Sequence, residues 1–161
     1  MKYELKHMDS FSAVCYKFAA PENGFWFGDS CAYWYGKDFS AVSKEDYQSL
    51  AAHGDAEIGV WLDADADTEK FSYYFGPVVM EGVNQIPAGM EKISIPEADY
   101  AVFTVPAAKD PAGLHENMQK AWKDILQWIH ETNELKATAE KCMFEYYQGD
   151  VAAIYVPVIK A

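Results

Sequence analysis

The segment FEYYQGD, residues 144 to 150, sets one carboxylate, Glu145, beside Phe144, Tyr146 and Tyr147, just ahead of a long apolar run. Two chemistries fit that composition. A carboxylate among aromatic rings is what a lipophilic cation requires. Each ring met face-on contributes about 0.5–2 kcal/mol. A carboxylate at ~4 Å adds about 4 kcal/mol of attraction at an effective dielectric near 20, before desolvation. The rings also exclude water and cover the apolar body of a ligand. The second chemistry is hydrolytic. Burial raises the pKa of a glutamate until it serves as general acid or base, and a tyrosine positions water or a leaving group. Glu145 with Tyr147 or Tyr155 has the parts for that role. The residue types alone do not separate binding from hydrolysis.

Other motifs carry less. DADADTEK, 63 to 70, puts Asp63, Asp65 and Asp67 at alternate positions. A calcium loop of the EF-hand type needs Gly at its sixth position and Glu at its twelfth; Thr68 and Tyr74 stand there, so a solvated hairpin loop is the better reading. His7, His53, His115 and His130 form no HxxxH or HxH pair, and no metal is expected. No GxGxxG, GxxxxGK[ST] or GxSxG occurs, which removes support for nucleotide binding and serine hydrolysis, and no cofactor is expected. Cys15, Cys31 and Cys142 lack CxxC spacing; no feature marks a base that would make Cys31 or Cys142 a nucleophile, and those two read as small buried hydrophobes.

Strands must hold Glu145 in place. Residues 2–18 alternate as an extended strand pair or one bent strand. Helical segments follow over about 30–53, the second capped by Ser43 and ended by Gly54. AEIGVWLDA and KFSYYFGPVVM read as two strands joined by the acidic turn. After a connector at 83–92 the order repeats. A strand interrupted by Pro96 precedes a long helix over about 112–133. Its apolar stripe is Leu114, Met118, Ala121, Trp122, Ile125 and Ile129. KCMFEYYQGD and VAAIYVPVIK are two further strands, with pairing expected to weaken at Pro157. FSAVCYKFAAP and DYAVFTVPAAKDP are similar, so the expectation is one domain of two pseudo-repeats, about 1–82 and 90–161.

Alternation assigns faces, because side chains two apart share one. Ile58, Val60 and Leu62 oppose Glu57 and Trp61; Phe71, Tyr73 and Phe75 share a face; Glu145 and Tyr147 oppose Phe144 and Tyr146. With helices on one side of the sheet, the other side is expected to carry Trp61, Glu145, Tyr147 and Tyr155 as a ligand-binding surface.

Composition bounds the rest. The chain has 161 residues, half of them hydrophobic, enough for one cored domain. Its net charge of −12 opposes contact with nucleic acid or anionic lipid. No apolar run approaches ~18 residues and no signal-peptide pattern opens the chain, so a cytoplasmic protein is expected. Five tryptophans, eleven tyrosines and nine phenylalanines are the anomaly, with Trp26, Tyr33, Trp34 and Tyr35 clustered early.

In combination, several segments resemble one family. They are the opening MKYELK, IGVWLD with FSYYFGPVV, IPAGMEKISIPEADYAVF, the helix AWKDILQWI, and FEYY followed by IYVPVIK. Their order and spacing are similar to the GyrI-like effector-binding domains, which include the DNA-gyrase inhibitory protein and the ligand-binding domains of AraC-type and multidrug-responsive MerR-type regulators. The resemblance covers nearly the whole chain. It implies an α+β fold of tandem β-α-β-β units forming a concave antiparallel sheet, with helices on one side and a central cleft. It implies Glu145 as the acidic centre of that cleft, with Tyr147, Tyr155, Tyr73 and Trp122 lining it; Trp61 is added from alternation and Trp34 from the early aromatic cluster. It implies a small-molecule ligand, cationic or aromatic, and permits a small-molecule hydrolase, or a protein partner such as gyrase or a regulator. Monomer and homodimer are both compatible with it.

Overall fold

The computed structural model describes residues 1–19, 44–51, 56–65, 70–138 and 142–161. Its elements follow the hydrophobic periods. In chain order they are β1 (Glu4–Met8), β2 (Phe11–Ala19), α1 (Lys44–Ala51), β3 (Ala56–Asp65), β4 (Lys70–Val79), β5 (Glu91–Ile95), β6 (Ala98–Val105), α2 (Pro111–Glu131), β7 (Leu135–Ala137), β8 (Phe144–Gln148) and β9 (Val151–Lys160). The fold is α+β, with a curled antiparallel sheet in the order β1-β6-β9-β8-β3-β4-β2-β5 and β7 paired to β9. No described helix is long and apolar enough to cross a membrane.

The long helix forms where its sequence signals say. Asp110 accepts a hydrogen bond from the Gly113 N–H at 2.7 Å and Pro111 occupies the first turn, so two of the usual end problems are solved locally. The helix stops where the Thr132 N–H donates to the Trp128 carbonyl at 2.9 Å and the chain turns extended. Met118 and Ile125 on its apolar stripe are fully buried, which contributes about 1.5–3 kcal/mol each. The proposed caps of α1, Ser43 and Gly54, lie outside the described residues.

The first strands differ from expectation. β1 and β2 do not pair with each other; β1 joins β6 and β2 joins β4 and β5. The same divergence occurs across Pro96, where β5 goes to β2 and β6 to β1 and β9. Local sequence cannot show this, because the partner of each strand is remote in the chain. Exchanging β1 with β5, β2 with β6, β3 with β8 and β4 with β9 returns the strand order reversed, with the β3–β8 pair at its middle.

Pro157 does not end β9, which runs on to Lys160 with Tyr100 opposite the proline. A residue's N–H and C=O leave a strand on the same side. The Pro157 carbonyl accepts from Thr138 N–H at 3.0 Å, so its missing N–H falls on that same side. There the β8 ladder has ended at Tyr155 and the β7 ladder begins only at Val158.

Both helices pack on one face of the sheet. Met118, Ala121 and Ile125 of α2 sit in a cluster with Ala101, Phe103 and Val105 of β6 and with Ile154 and Val156 of β9. Leu50 of α1 packs with Val14, Tyr16 and Val79. The other face is concave and filled. Phe11 on β2 and Phe144 on β8 lie three strand spacings apart along the sheet, about 14 Å if flat, yet their ring centroids are 5.6 Å apart. Tyr100 and Tyr155 complete that aromatic core around Phe144.

This corrects the expected faces. Glu145 does not oppose the helices. It pairs across the ladder with Ile154, whose side chain is part of the α2 cluster, so it stands on the helix-bearing face. The rings fill both faces, and an aromatic count alone does not say which is which.

Candidate functional site

The site forms where β8 meets β3, between the strands under α2 and those under α1. In the ladder, Glu145 stands opposite Gly59 on β3 and Ile154 on β9, and Tyr147 stands opposite Glu57 and Ala152. One strand further, Phe75 faces Gly59 and Tyr73 faces Trp61. Period-two alternation therefore brings Glu145, Tyr147, Phe75 and Tyr73 onto one patch.

Three donors converge on the carboxylate. The Tyr73 hydroxyl donates to Oε2 at 3.0 Å, the Tyr147 hydroxyl donates to Oε2 at 2.5 Å, and the Trp122 indole N–H donates to Oε1 at 2.8 Å. Trp122 reaches down from α2, on the same stripe that packs Met118 and Ile125. Phe75 fills the space between the tyrosines, 6.5 Å from Tyr73 and 6.0 Å from Tyr147 between ring centroids.

Glu145 is fully buried, and it is the one charged or polar residue in the core among the described residues. Among those residues no lysine or histidine forms a salt bridge with it. Burial pushes its pKa from the ordinary 4.5 up to about 7; the three hydrogen bonds, Tyr147 first, pull the other way. Burying a charge without a counter-ion is costly, and neutral donors recover only part of that cost. The group therefore changes charge near neutrality. The arrangement provides a proton-exchanging acid on an aromatic patch, able to stabilise a cation when ionised and to donate a hydrogen bond when neutral.

Four of the residues singled out from sequence are thus brought together: Glu145, Tyr147, Tyr73 and Trp122. Tyr155 is not among them. Gln148 pairs with Val151 across the two-residue turn Gly149-Asp150, with Gly149 at φ 57°. That register sets Tyr155 opposite Phe144, on the concave face, where the two rings stack at 4.8 Å and 12°. Placing Tyr155 beside Glu145 is corrected by this turn. Trp61 pairs with Tyr73 along the ladder, but its side chain lies outside the described residues; Trp34 lies outside them altogether.

Sequence reasoning missed Gly59. A Cβ there would overlap the Tyr73 hydroxyl and come within 3.0 Å of Glu145 Oε2. The available signal was a glycine in the middle of a β-branched strand, which often marks close approach of another group.

A second cluster lies at the surface. His7, Asp9 and Glu97 place ligand atoms within 4.8 Å of one another, and the His7 Nδ1 is 2.8 Å from Asp99. All are exposed. The hydrogen bond with Asp99, then the charges of Asp99, Glu97 and Asp9, raise the pKa of His7.

Comparison with known proteins bears on the fold and the family. Residues 4–158 match the family model described as Cass2, integron-associated effector binding protein. No match is found among curated protein sequences. Several solved structures share the fold. The structure of SAV2435 bound to tetraphenylphosphonium has a TM-score of 0.73 at 19% identity, covering 99% of this chain and 94% of that one. An integron cassette protein from the mobile metagenome of Vibrio cholerae has a TM-score of 0.64 at 11% identity, covering 98% and 95%. The EcmrR C-terminal domain has a TM-score of 0.54 at 15% identity, covering 100% of both chains.

Proposed function

The chain belongs to the integron-associated effector-binding family, of GyrI-like type, and from that premise we propose that its small-molecule ligand is an amphipathic cation that pairs with Glu145. The observation that carries the proposal is a fully buried carboxyl held by three aromatic donors, with no cationic side chain bridging it among the described residues. A ligand cation supplies the missing charge, and the rings of Tyr73, Phe75, Tyr147 and Trp122 offer it apolar and cation–π contact. The fold likeness to a protein holding tetraphenylphosphonium, itself a lipophilic cation, supports the same ligand class. We read the chain as one domain of two pseudo-repeats, about 1–82 and 90–161, with the site between them; the reversible strand order supports this reading.

The test is calorimetric titration of tetraphenylphosphonium into wild type and Glu145→Gln at pH 8, with neutral triphenylphosphine oxide as control. The cation should bind wild type more tightly than the variant, and the neutral compound should not discriminate. Equal cation affinity in both proteins would overturn the pairing. Turnover of an electrophilic ester that vanishes in Glu145→Gln would instead assign the glutamate to hydrolysis.

A further inference from the structure

Three strands meet at Gly59. It faces Glu145 in the β3–β8 ladder and Phe75 in the β3–β4 ladder. Tyr73 starts one diagonal step away, opposite Trp61, and its ring must cross β3 to reach Glu145 on the strand beyond. The crossing passes over Gly59. A Cβ at that position would overlap both the Tyr73 hydroxyl oxygen and its Cζ.

Backbone conformation does not call for glycine here. The described glycines at positive φ are Gly82, Gly89 and Gly149, and Gly59 is not one of them. A strand interior disfavours glycine, because it loses more backbone entropy and packs nothing. The space above it is therefore the physical reason for the residue.

We propose that Gly59 is the positioning residue of this site: its missing side chain is the slot through which the Tyr73 hydroxyl reaches Glu145. The inference rests on Glu145 being the ligand-binding group only for its consequence, not for its geometry. That consequence is selectivity. The Tyr73 hydroxyl donates to the ionised carboxylate and so favours the charged form. With the slot open, the acid ionises near neutral pH and holds a charge for a cation above it. With the slot closed, the acid stays neutral to higher pH, and the preference moves toward uncharged aromatic ligands.

The experiment is a double-mutant cycle on Gly59→Ala and Tyr73→Phe, read by the NMR titration of the Glu145 side-chain carboxyl in the ligand-free protein. Each single variant should raise the Glu145 pKa by about one unit, which is about tenfold less carboxylate at a pH below it. The double variant should shift it no further than either single change. A wild-type titration in folded Gly59→Ala, or shifts that add in full, would overturn the proposal. Should Gly59→Ala fail to fold, Gly59→Ala combined with Tyr73→Ala has no ring in the slot. It should fold wherever Tyr73→Ala alone folds; failure to fold where Tyr73→Ala folds would show that the space serves another purpose, and would equally overturn the proposal. Because the titration needs no ligand, absence of tetraphenylphosphonium binding would count against the ligand class and leave the role of Gly59 standing.

Discussion

Glu145→Gln should make this protein more stable at pH 8 than at pH 5 relative to wild type. The carboxyl has a pKa of about 7 when folded and an ordinary value of 4.5 when exposed. Between those values the folded protein holds a proton that the unfolded chain releases. Stability from this group is therefore complete below pH 4.5, falls as pH rises to 7, and is flat above. The interval of about 2.5 pH units corresponds to about 3 kcal/mol. Glutamine does not titrate, so its protein lacks this slope. Urea unfolding of both proteins from pH 4.5 to 8 measures the effect. The net charge of −12 adds its own pH-dependent self-repulsion, and that term largely cancels in the difference between the two proteins. So does any pH-independent cost of fitting an amide beneath Trp122. The difference should change by about 3 kcal/mol in favour of the variant across the window. Parallel stability curves would refute the reasoning, because they would mean that Glu145 is charged and satisfied, or exposed, throughout.

Affinity for tetraphenylphosphonium should fall about tenfold for each pH unit below 7 and level off above it, since the cation requires the ionised carboxylate; a pH-independent affinity by calorimetry would contradict this. Tyr147→Phe removes the 2.5 Å hydrogen bond and should raise the Glu145 pKa more than any other single hydroxyl deletion, read by NMR titration. Tyr155→Phe should leave both that titration and cation affinity within about twofold of wild type, because its ring stacks on Phe144 across the sheet; a tenfold loss would undo the register. Asp110→Ala should cost about 1 kcal/mol of stability by chemical denaturation, through loss of the cap on α2.

The parts of the site that sequence made legible are those governed by local rules. Alternation puts Tyr147 with Glu145 and Phe75 with Tyr73, and helical spacing puts Trp122 on the stripe that meets the sheet. Tyr155 shows where a local rule was available and decisive. Gly149-Asp150 makes a two-residue turn, which forces Gln148 onto Val151 and hence Phe144 onto Tyr155. Other features have no local signature. The partners of β1 and β5 lie in the opposite half of the chain, and β7 is a three-residue strand paired with β9. The facing of the sheet is global too, since it depends on how far the sheet curls before Phe11 meets Phe144.

The position of β9 has a kinetic consequence. Among the described strands it alone joins β6 to β8 in the sheet, and it follows the others in sequence. Without β9 docked, the strand order separates into β1–β6 and β8–β3–β4–β2–β5, each with an edge that β9 otherwise covers. Ile154 and Val156, which seat α2, are on that strand, so Trp122 has no settled place above Glu145 beforehand. The Glu145 carboxyl therefore depends on β9 for its burial. It is dehydrated in the closing step, where its neutral form lowers the barrier if burial has begun by then. Refolding at mildly acid pH should accordingly be faster than at pH 8, an effect that Glu145→Gln would abolish.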